Sequence, residues 1–353
     1  MISLTTVGFL REPSAAVRCS LTIADHDGGM ALETVCADSG PDSWSQSEDV
    51  VNQANSFSPV TAMFVGGTGE SFAGDQRTTP TGLLATVSDA LDGRFDCRWI
   101  GYPASYGPAP RRDGMSFTQS VAIGVDTLRA AIAGSTGPLT LVGYSQGAVV
   151  IRTALHQMWI EEDPALSRIV AAGFVADPHQ PPGAVAGCTG WGVAGPGPQL
   201  PPRLPVRWVG AADDVICNAD ADSLVRDIAD LTATISLTRL GDWLQSTWHV
   251  VRTNAFQNAG QTAVKPSQWR RDIGRLWAAW HAVRCYLPST IVVGGLVIRN
   301  AIGGRHTSYR AEPYRSRSVT DPVSTGCEVI ASWLQVQVTF AGIDGLDEPG
   351  TAA

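Results

Sequence analysis

The stretch LVGYSQGAVV, residues 141–150, is where the fold is decided. An apolar, β-like run, LTLVGY (139–144), meets Ser145, and GAVVIRTALHQMWI (147–160) continues at once with helical spacing. Ser145 stands between Gly143 and Gly147. A strand that turns sharply into a helix at Gly-x-Ser-x-Gly exposes the serine hydroxyl, and the small residues on either side let neighbouring segments pass close by. The competing reading is a glycine-rich turn that only joins strand to helix. The surroundings, and the partners a nucleophile needs, must separate the two.

The surroundings read as alternating strands and helices. VTAMFVGG (60–67) is a buried strand running into a tight loop, and FDCRWIGYP (95–103) is a second strand stopped by Pro103. RIVAAGFVADP (168–178) and LPVRWVGAADD (204–214) supply two more. Between them, TPTGLLATVSDALDG (79–93) has helical spacing with Thr79 as cap and Pro80 at the first helical position. SFTQSVAIGVDTLRAAIAG (116–134) is an amphipathic helix capped by Ser116 and ended by Gly134. This alternation predicts an α/β fold, a central parallel sheet flanked by helices on both faces.

Four segments follow. Residues 1–57, rich in Ser, Asp and Gly with short β-like runs (CSLTIA, ALETVC), form an N-terminal extension of unknown role. Residues 58–221 are the α/β core, and 222–300 a mainly helical, lid-like insertion bearing Trp243, Trp248, Trp269, Trp277 and Trp280. Residues 301–353 return to the core, where WLQVQVTF (333–340) alternates like an edge strand before a C-terminal tail.

Bulk properties exclude several classes. With 44% apolar and 16% charged residues, the 353-residue chain reads as globular. A net charge of −8 argues against a nucleic-acid partner, which requires a basic face. The longest apolar run, TIVVGGLVI (290–298), is half of what a bilayer span needs. The N-terminus MISLTTVGFLREPS lacks a basic region and a clean apolar run, so no secretory signal is expected, and synthesis in a cytoplasm is. The seven cysteines (19, 36, 97, 188, 217, 285, 327) show no C-x-x-C, which argues against zinc. Their odd number leaves at least one thiol unpaired, and a bridge near the site cannot be assigned from sequence.

A serine nucleophile needs a base, and the base an orienting acid, in the chain order Ser, acid, His. Three histidines lie late enough: His249, His281 and His306. The first two sit in tryptophan-bearing helical segments, whereas His306 follows Gly303-Gly304 in a loop, which favours it as the base. For the acid, Asp213 and Asp214 end a strand and residue physics does not choose between them; Asp177 before Pro178 is the rival. The N–H of Gln146 opens a helix and suits a developing oxyanion, and the loop VGGTGES (65–71) offers backbone N–H groups and the Thr68 hydroxyl as a second donor. Trp277 and Trp280 share a helical face, as a wall for an acyl chain would need, although core packing explains that spacing better.

Taken in order, GGTGES, GYPASYGP, GYSQGAVV, DDVIC and HTSY resemble the cutinase-like serine esterases of actinobacteria and their phages, α/β hydrolases, over residues 60–310. The resemblance is strongest to the mycobacteriophage lysin B group, in which a helical segment lies between acid and histidine. It implies Asp214 rather than Asp213 as the acid, through the D-x-[VI]-C run, and His306 as the base, through H-x-x-Y. It also implies hydrolysis of the ester joining mycolic acids to arabinogalactan, at the host cell envelope, with no metal or cofactor. The alternatives are a general cutinase or lipase acting on short or polymeric esters, and a non-catalytic or virion-associated cell-wall-binding protein on the same fold.

Overall fold

The computed structural model describes residues 18–26, 29–37, 59–108, 113–233, 245, 248–250, 252–253, 256–257, 269–293 and 296–344. Trp243 lies outside them. The chain divides into two units, Met1–Phe57 and Ser58–Ala353. In the first, β1 (Arg18–His26) pairs antiparallel with β2 (Gly29–Ala37), with Cys19 opposite Cys36 in register. The runs CSLTIA and ALETVC fall inside these strands.

The second unit is built on five parallel strands: β3 (Val60–Val65), β4 (Phe95–Trp99), β5 (Leu139–Tyr144), β6 (Ile169–Val175) and β7 (Val206–Val209), in the spatial order β4-β3-β5-β6-β7. The inner strands β3 and β5 are buried at every residue, which is why they read as unbroken apolar runs. Successive side chains on a strand face opposite ways, so each face collects its own core. Met63, Val65, Leu139 and Leu141 pack with residues of α2 (Phe117–Ala133) and α3 (Gln146–Ile160). Ala62, Phe64, Val142 and Tyr144 pack with α1 (Ala85–Asp89) and with α6 (Gly326–Asp344).

Ser116 caps α2 as expected: its hydroxyl accepts the Gln119 N–H, while the Gln119 side chain reaches back to the Ser116 N–H. Gly134 ends the helix. Beyond β7 lie α4 (Leu224–Thr232) and α5 (Trp269–Tyr286), then two strands that pair antiparallel, β8 (Thr290–Val293) and β9 (Leu296–Arg299). Both strands fall in the apolar run TIVVGGLVI, β9 ending one residue past it. Among the described residues, no helix is long and apolar enough to cross a membrane.

Two expectations fail. WLQVQVTF is part of α6, not an edge strand. Its alternating residues split by helical period: Leu334 and Val338, four apart, are buried with Cys327, Ile330 and Ala331, while Val336 and Phe340 are exposed. A two-residue alternation and a four-residue one coincide over so short a window, and packing on the sheet chose the second. The helix expected at Thr79 starts later. A 3₁₀ turn at Gly82–Leu84 precedes α1, and Thr81 takes the cap position without a side-chain bond.

The crossing of β3, β5 and α3 leaves no room for side chains at two glycines. A Cβ on Gly147 would run into the carbonyls of Val65 and Gly66, and one on Gly143 would meet the Ala148 backbone at 2.7 Å. Gly147→Ala is therefore expected to destabilise the fold by about 1–3 kcal/mol, the usual cost of overpacking. Urea denaturation monitored by circular dichroism checks it; an unchanged midpoint would mean that the crossing relaxes freely.

Candidate active site

Ser145 sits at the carboxyl end of β5 and opens α3 with φ 52° and ψ −116°, a left-handed backbone for a residue that carries a Cβ. Its N–H donates to the Val175 carbonyl (2.9 Å), which ties the turn to β6. The loop after β3 lies against it, since a Cβ on Gly67 would come within 3.2 Å of the Ser145 Cβ.

His306 and Asp214 meet at this turn. His306 Nε2 lies 2.9 Å from Ser145 Oγ, and Nδ1 lies 2.9 Å from Asp214 Oδ2. A carboxylate only accepts, so Nδ1 carries the proton toward Asp214, and Nε2 of the neutral ring is left to accept from the serine hydroxyl. Asp214 is fully buried and has two further donors: Tyr309 Oη at 2.7 Å on Oδ2 and the Ile216 N–H at 3.1 Å on Oδ1. Burial alone would push its carboxyl up. The interaction with His306 and these hydrogen bonds outweigh it and hold the group below the ordinary carboxylate value. Burial pushes the Tyr309 hydroxyl well above its usual range, so it stays a donor.

His306 and Tyr309 lie on a 3₁₀ helix, Arg305–Arg310, where three residues make a turn and place both side chains on one side. Two more tyrosines hold the imidazole. The Tyr144 ring centroid lies 5.1 Å from that of His306 and its hydroxyl donates to the His306 carbonyl (2.9 Å). Tyr286, the last residue of α5, lies 5.2 Å away.

The two expected oxyanion residues are hydrogen-bonded to each other: Thr68 Oγ1 donates to Gln146 Oε1 at 3.3 Å. The Gln146 side chain is buried and also donates to the Ser105 carbonyl (2.9 Å), which ties the β3 loop to the segment after β4. Glu70 braces the same loop, its carboxylate accepting the N–H groups of Gly67 and Leu83, each at 2.8 Å. Among the described residues neither the Thr68 N–H nor the Gln146 N–H is taken by a protein acceptor, so both remain for a developing negative charge.

The rivals lie elsewhere. Asp213 is exposed. Asp177 is buried in an ion pair with Arg152 (2.8 Å) and also accepts from the Trp208 indole (2.9 Å) and the His179 N–H (2.8 Å), far from any base role. His249 and His281 are exposed on helical segments. Trp277 and Trp280 are 70% and 58% exposed, so core packing does not explain their spacing. Cys188, Cys217 and Cys285 are free thiols, and Cys217 lies 3.5 Å from the Tyr309 hydroxyl. Among the described residues no group of three His, Cys, Asp or Glu side chains is arranged to hold a metal ion.

Residues 95–193, from β4 to just beyond β6, match the family model described as PE-PPE domain. The matched stretch includes Ser145 and Gln146 and stops short of Asp214 and His306. A search of curated proteins finds no match. Among solved structures, similarity extends to a cutinase-like protein from Cryptococcus sp., 17% identical over 58% of this chain and 97% of that one, TM-score 0.34. It extends also to the Vlm2 thioesterase domain (13%, 79% and 92%, TM-score 0.29) and to a YdeN-like hydrolase from Pectobacterium atrosepticum (13%, 57% and 79%, TM-score 0.25). The fold is α/β, a parallel five-stranded sheet flanked by helices with a strand–Ser–helix turn at Ser145.

Two substitutions separate the roles of the aspartates. Tyr309→Phe removes a donor from the Asp214 carboxylate, worth about 1.5–3 kcal/mol for a bond to a charged group. Asp214 has a lowered folded value, so its contribution to stability is complete above the unfolded carboxylate range and disappears as pH falls through that lowered value. Without Tyr309 the folded value rises, and acid unfolding followed by tryptophan fluorescence is expected at higher pH than in the native chain. Asp177→Ala leaves Arg152 as an unpaired buried cation and is expected to cost about 3–5 kcal/mol of stability. Activity per folded molecule should hold; its collapse would make Asp177 part of the site.

Proposed function

We propose that the chain is a serine esterase working by acyl transfer, with Ser145 as nucleophile, His306 as general base and Asp214 as orienting acid. One observation carries the reading: an unbroken hydrogen-bonded line from Ser145 Oγ through both ring nitrogens of His306 to a buried, multiply bonded carboxylate. Ser145 Oγ attacks the ester carbonyl as Nε2 takes its proton. The oxyanion forms beside the N–H groups of Gln146 and Thr68. Nε2 then returns the proton to the leaving alcohol, and water, activated at the same nitrogen, releases the acid from Ser145. These steps use side chains and backbone N–H groups alone.

For the natural ester we propose a lipid ester of a mycobacterial-type cell envelope, the mycolyl-arabinogalactan linkage, cut at the host envelope as in lysin B enzymes. The resemblance across five motifs and a helix-bearing insertion between Asp214 and His306 supports it. On this reading the exposed Trp277 and Trp280 of α5 lie along the path of a long acyl chain. A general lipase or cutinase would share the chemistry and differ only in the ester. A purely binding role fits poorly with three polar groups so fully engaged in one line.

Ser145→Ala is expected to lower hydrolysis of p-nitrophenyl butyrate and laurate by about a thousandfold or more while the fold is kept. Equal rates in the two proteins, both folded, would return Ser145 to a residue in a turn.

A further inference from the structure

His306 lies against two aromatic rings from different elements. The Tyr144 centroid stands 5.1 Å from that of the imidazole with the planes 31° apart, and the Tyr286 centroid stands 5.2 Å away at 44°. Both tilts are well short of perpendicular, the geometry of offset rings rather than of an edge driven into a face. The face of a tyrosine is the negative part of its quadrupole, and a cation within about 6 Å of the centroid is attracted to it. Burial pushes both hydroxyls up from their usual value, so both rings are neutral phenols near pH 7.

An imidazole that takes a serine proton becomes a cation, and few charges surround it here. Asp214 accepts at Nδ1 and Ser145 Oγ stands at Nε2, while Asp213 beside Asp214 is exposed. The segment of His306 itself adds Tyr309, bonded to Asp214, Arg305, paired with Glu312 at 2.6 Å, and an exposed Arg310. Helix α5 adds His281 and Arg284, both exposed. Helix α6 presents Glu328, which accepts the Thr325 N–H (2.7 Å). The 3₁₀ turn Gly82–Leu84 carries no ionisable residue. Among the described residues Asp214 is therefore the one carboxylate bonded to the ring, and the two aromatic faces are the next source of negative potential.

We propose that Tyr286 is a positioning residue whose ring stabilises the imidazolium form of His306, so that helix α5 tunes the basicity of the group facing Ser145. Its consequence for catalysis rests on the esterase reading above; its effect on the charge of His306 does not. Tyr144 contributes in the same way but is buried, and its hydroxyl donates to the His306 carbonyl (2.9 Å), so its loss would move the segment as well. Tyr286 separates the two effects. It is 41% exposed, and its hydroxyl makes no hydrogen bond among the described residues, so the ring can be exchanged without opening the core.

The test compares Tyr286→Leu and Tyr286→Met, which remove the aromatic face, with Tyr286→Phe, which keeps it, in the full chain. Folding is checked by circular dichroism, and either folded variant of the first pair suffices. The acid limb of kcat/KM for p-nitrophenyl butyrate reports protonation of the free base. Losing a stabiliser of the charged ring lowers the pH at which the imidazole gives up its proton. The limb is therefore expected to move down by about half a unit to one unit, and the plateau to fall about three- to tenfold, the worth of one cation–π contact. Tyr286→Phe should recover the native profile. Titration of the His306 Cε1 proton by NMR, in chains that also carry Ser145→Ala, should show the same shift without turnover, the resonance being assigned by its loss in His306→Gln. A limb and a titration that stay in place or move to higher pH overturn the proposal, as does a Tyr286→Phe chain that behaves like Tyr286→Leu. A fall in the plateau with neither readout shifted makes Tyr286 a packing residue and also overturns it. If native protein and Ser145→Ala hydrolyse the ester alike, the esterase reading fails instead, and the NMR titration still decides whether Tyr286 stabilises the charged ring.

Discussion

The left-handed backbone at Ser145 is the constraint on which the second unit is arranged. A non-glycine residue in such a region costs about 1–3 kcal/mol and persists only where its surroundings over-determine it. Here the surroundings are two strand ends and a helix start. The Ser145 N–H is taken by β6, and the glycines at 143 and 147 let α3 begin against β3 and β5. Strain gathers at the same rim of the sheet. Ala104, after β4, and Ala176, after β6, also have positive φ, near 46° and 50°. The Ala104 carbonyl accepts the Gly69 N–H (2.8 Å) in the loop that holds Thr68, and the Ala176 N–H binds the Val209 carbonyl (2.8 Å) at the end of β7. The carboxyl edge of the sheet is thus a connected set of unusual turns, each fixing the next.

A buried charge is the second demand. Asp214 has no solvent exposure, and an isolated carboxylate so placed would neutralise itself. It keeps its charge because one short segment delivers two partners at once. Arg305–Arg310 brings both the imidazole and the Tyr309 hydroxyl, and that hydroxyl in turn accepts the Ala211 N–H (3.0 Å) at the start of the acid's own loop. The tyrosine therefore fixes the carboxylate and the backbone that carries it. Orientation of His306 follows from the same bonds, with Tyr144 and Tyr286 against its ring.

Much of this was legible in the sequence because local signals and tertiary packing agree there. The inner strands are apolar along their whole length, the Ser116 cap and Gly134 stop are local chemistry, and the motif around Ser145 forces the turn. Ser145, Asp214 and His306 come together within hydrogen-bond distance, although sequence physics alone did not separate Asp213 from Asp214. That choice turns on which way two neighbours point. Tyr309 stands in the same motif as His306 and three residues on, a spacing that aligns side chains only once the segment is known to be 3₁₀. Tyr286 had no local signal, since nothing in a helix says what its last residue will touch. The misread α6 failed for the opposite reason: four alternating apolar residues, Leu334, Val336, Val338 and Phe340, mimic a strand, and only the sheet beneath shows that every second one is buried.

Helix α4 also supports the site. Arg226 of α4 is fully buried, its guanidinium lying 4.2 Å from the Trp191 ring centroid. It donates to the carbonyls of Trp191 (3.0 Å), Gly192 (2.7 Å), Ala219 (2.6 Å) and Asp220 (2.9 Å). Burial brings its pKa down to about 10, still far above neutrality, so it remains a cation with carbonyl dipoles as counter-charge. Two of those carbonyls lie five and six residues beyond Asp214 in the same loop, and the Asn218 N–H closes back onto the Asp214 carbonyl (2.9 Å). A carboxylate that must meet an imidazole at hydrogen-bond distance tolerates little movement in the backbone behind it. By clamping that backbone through carbonyls, Arg226 of α4 ties the position of Asp214 to the packing of its helix.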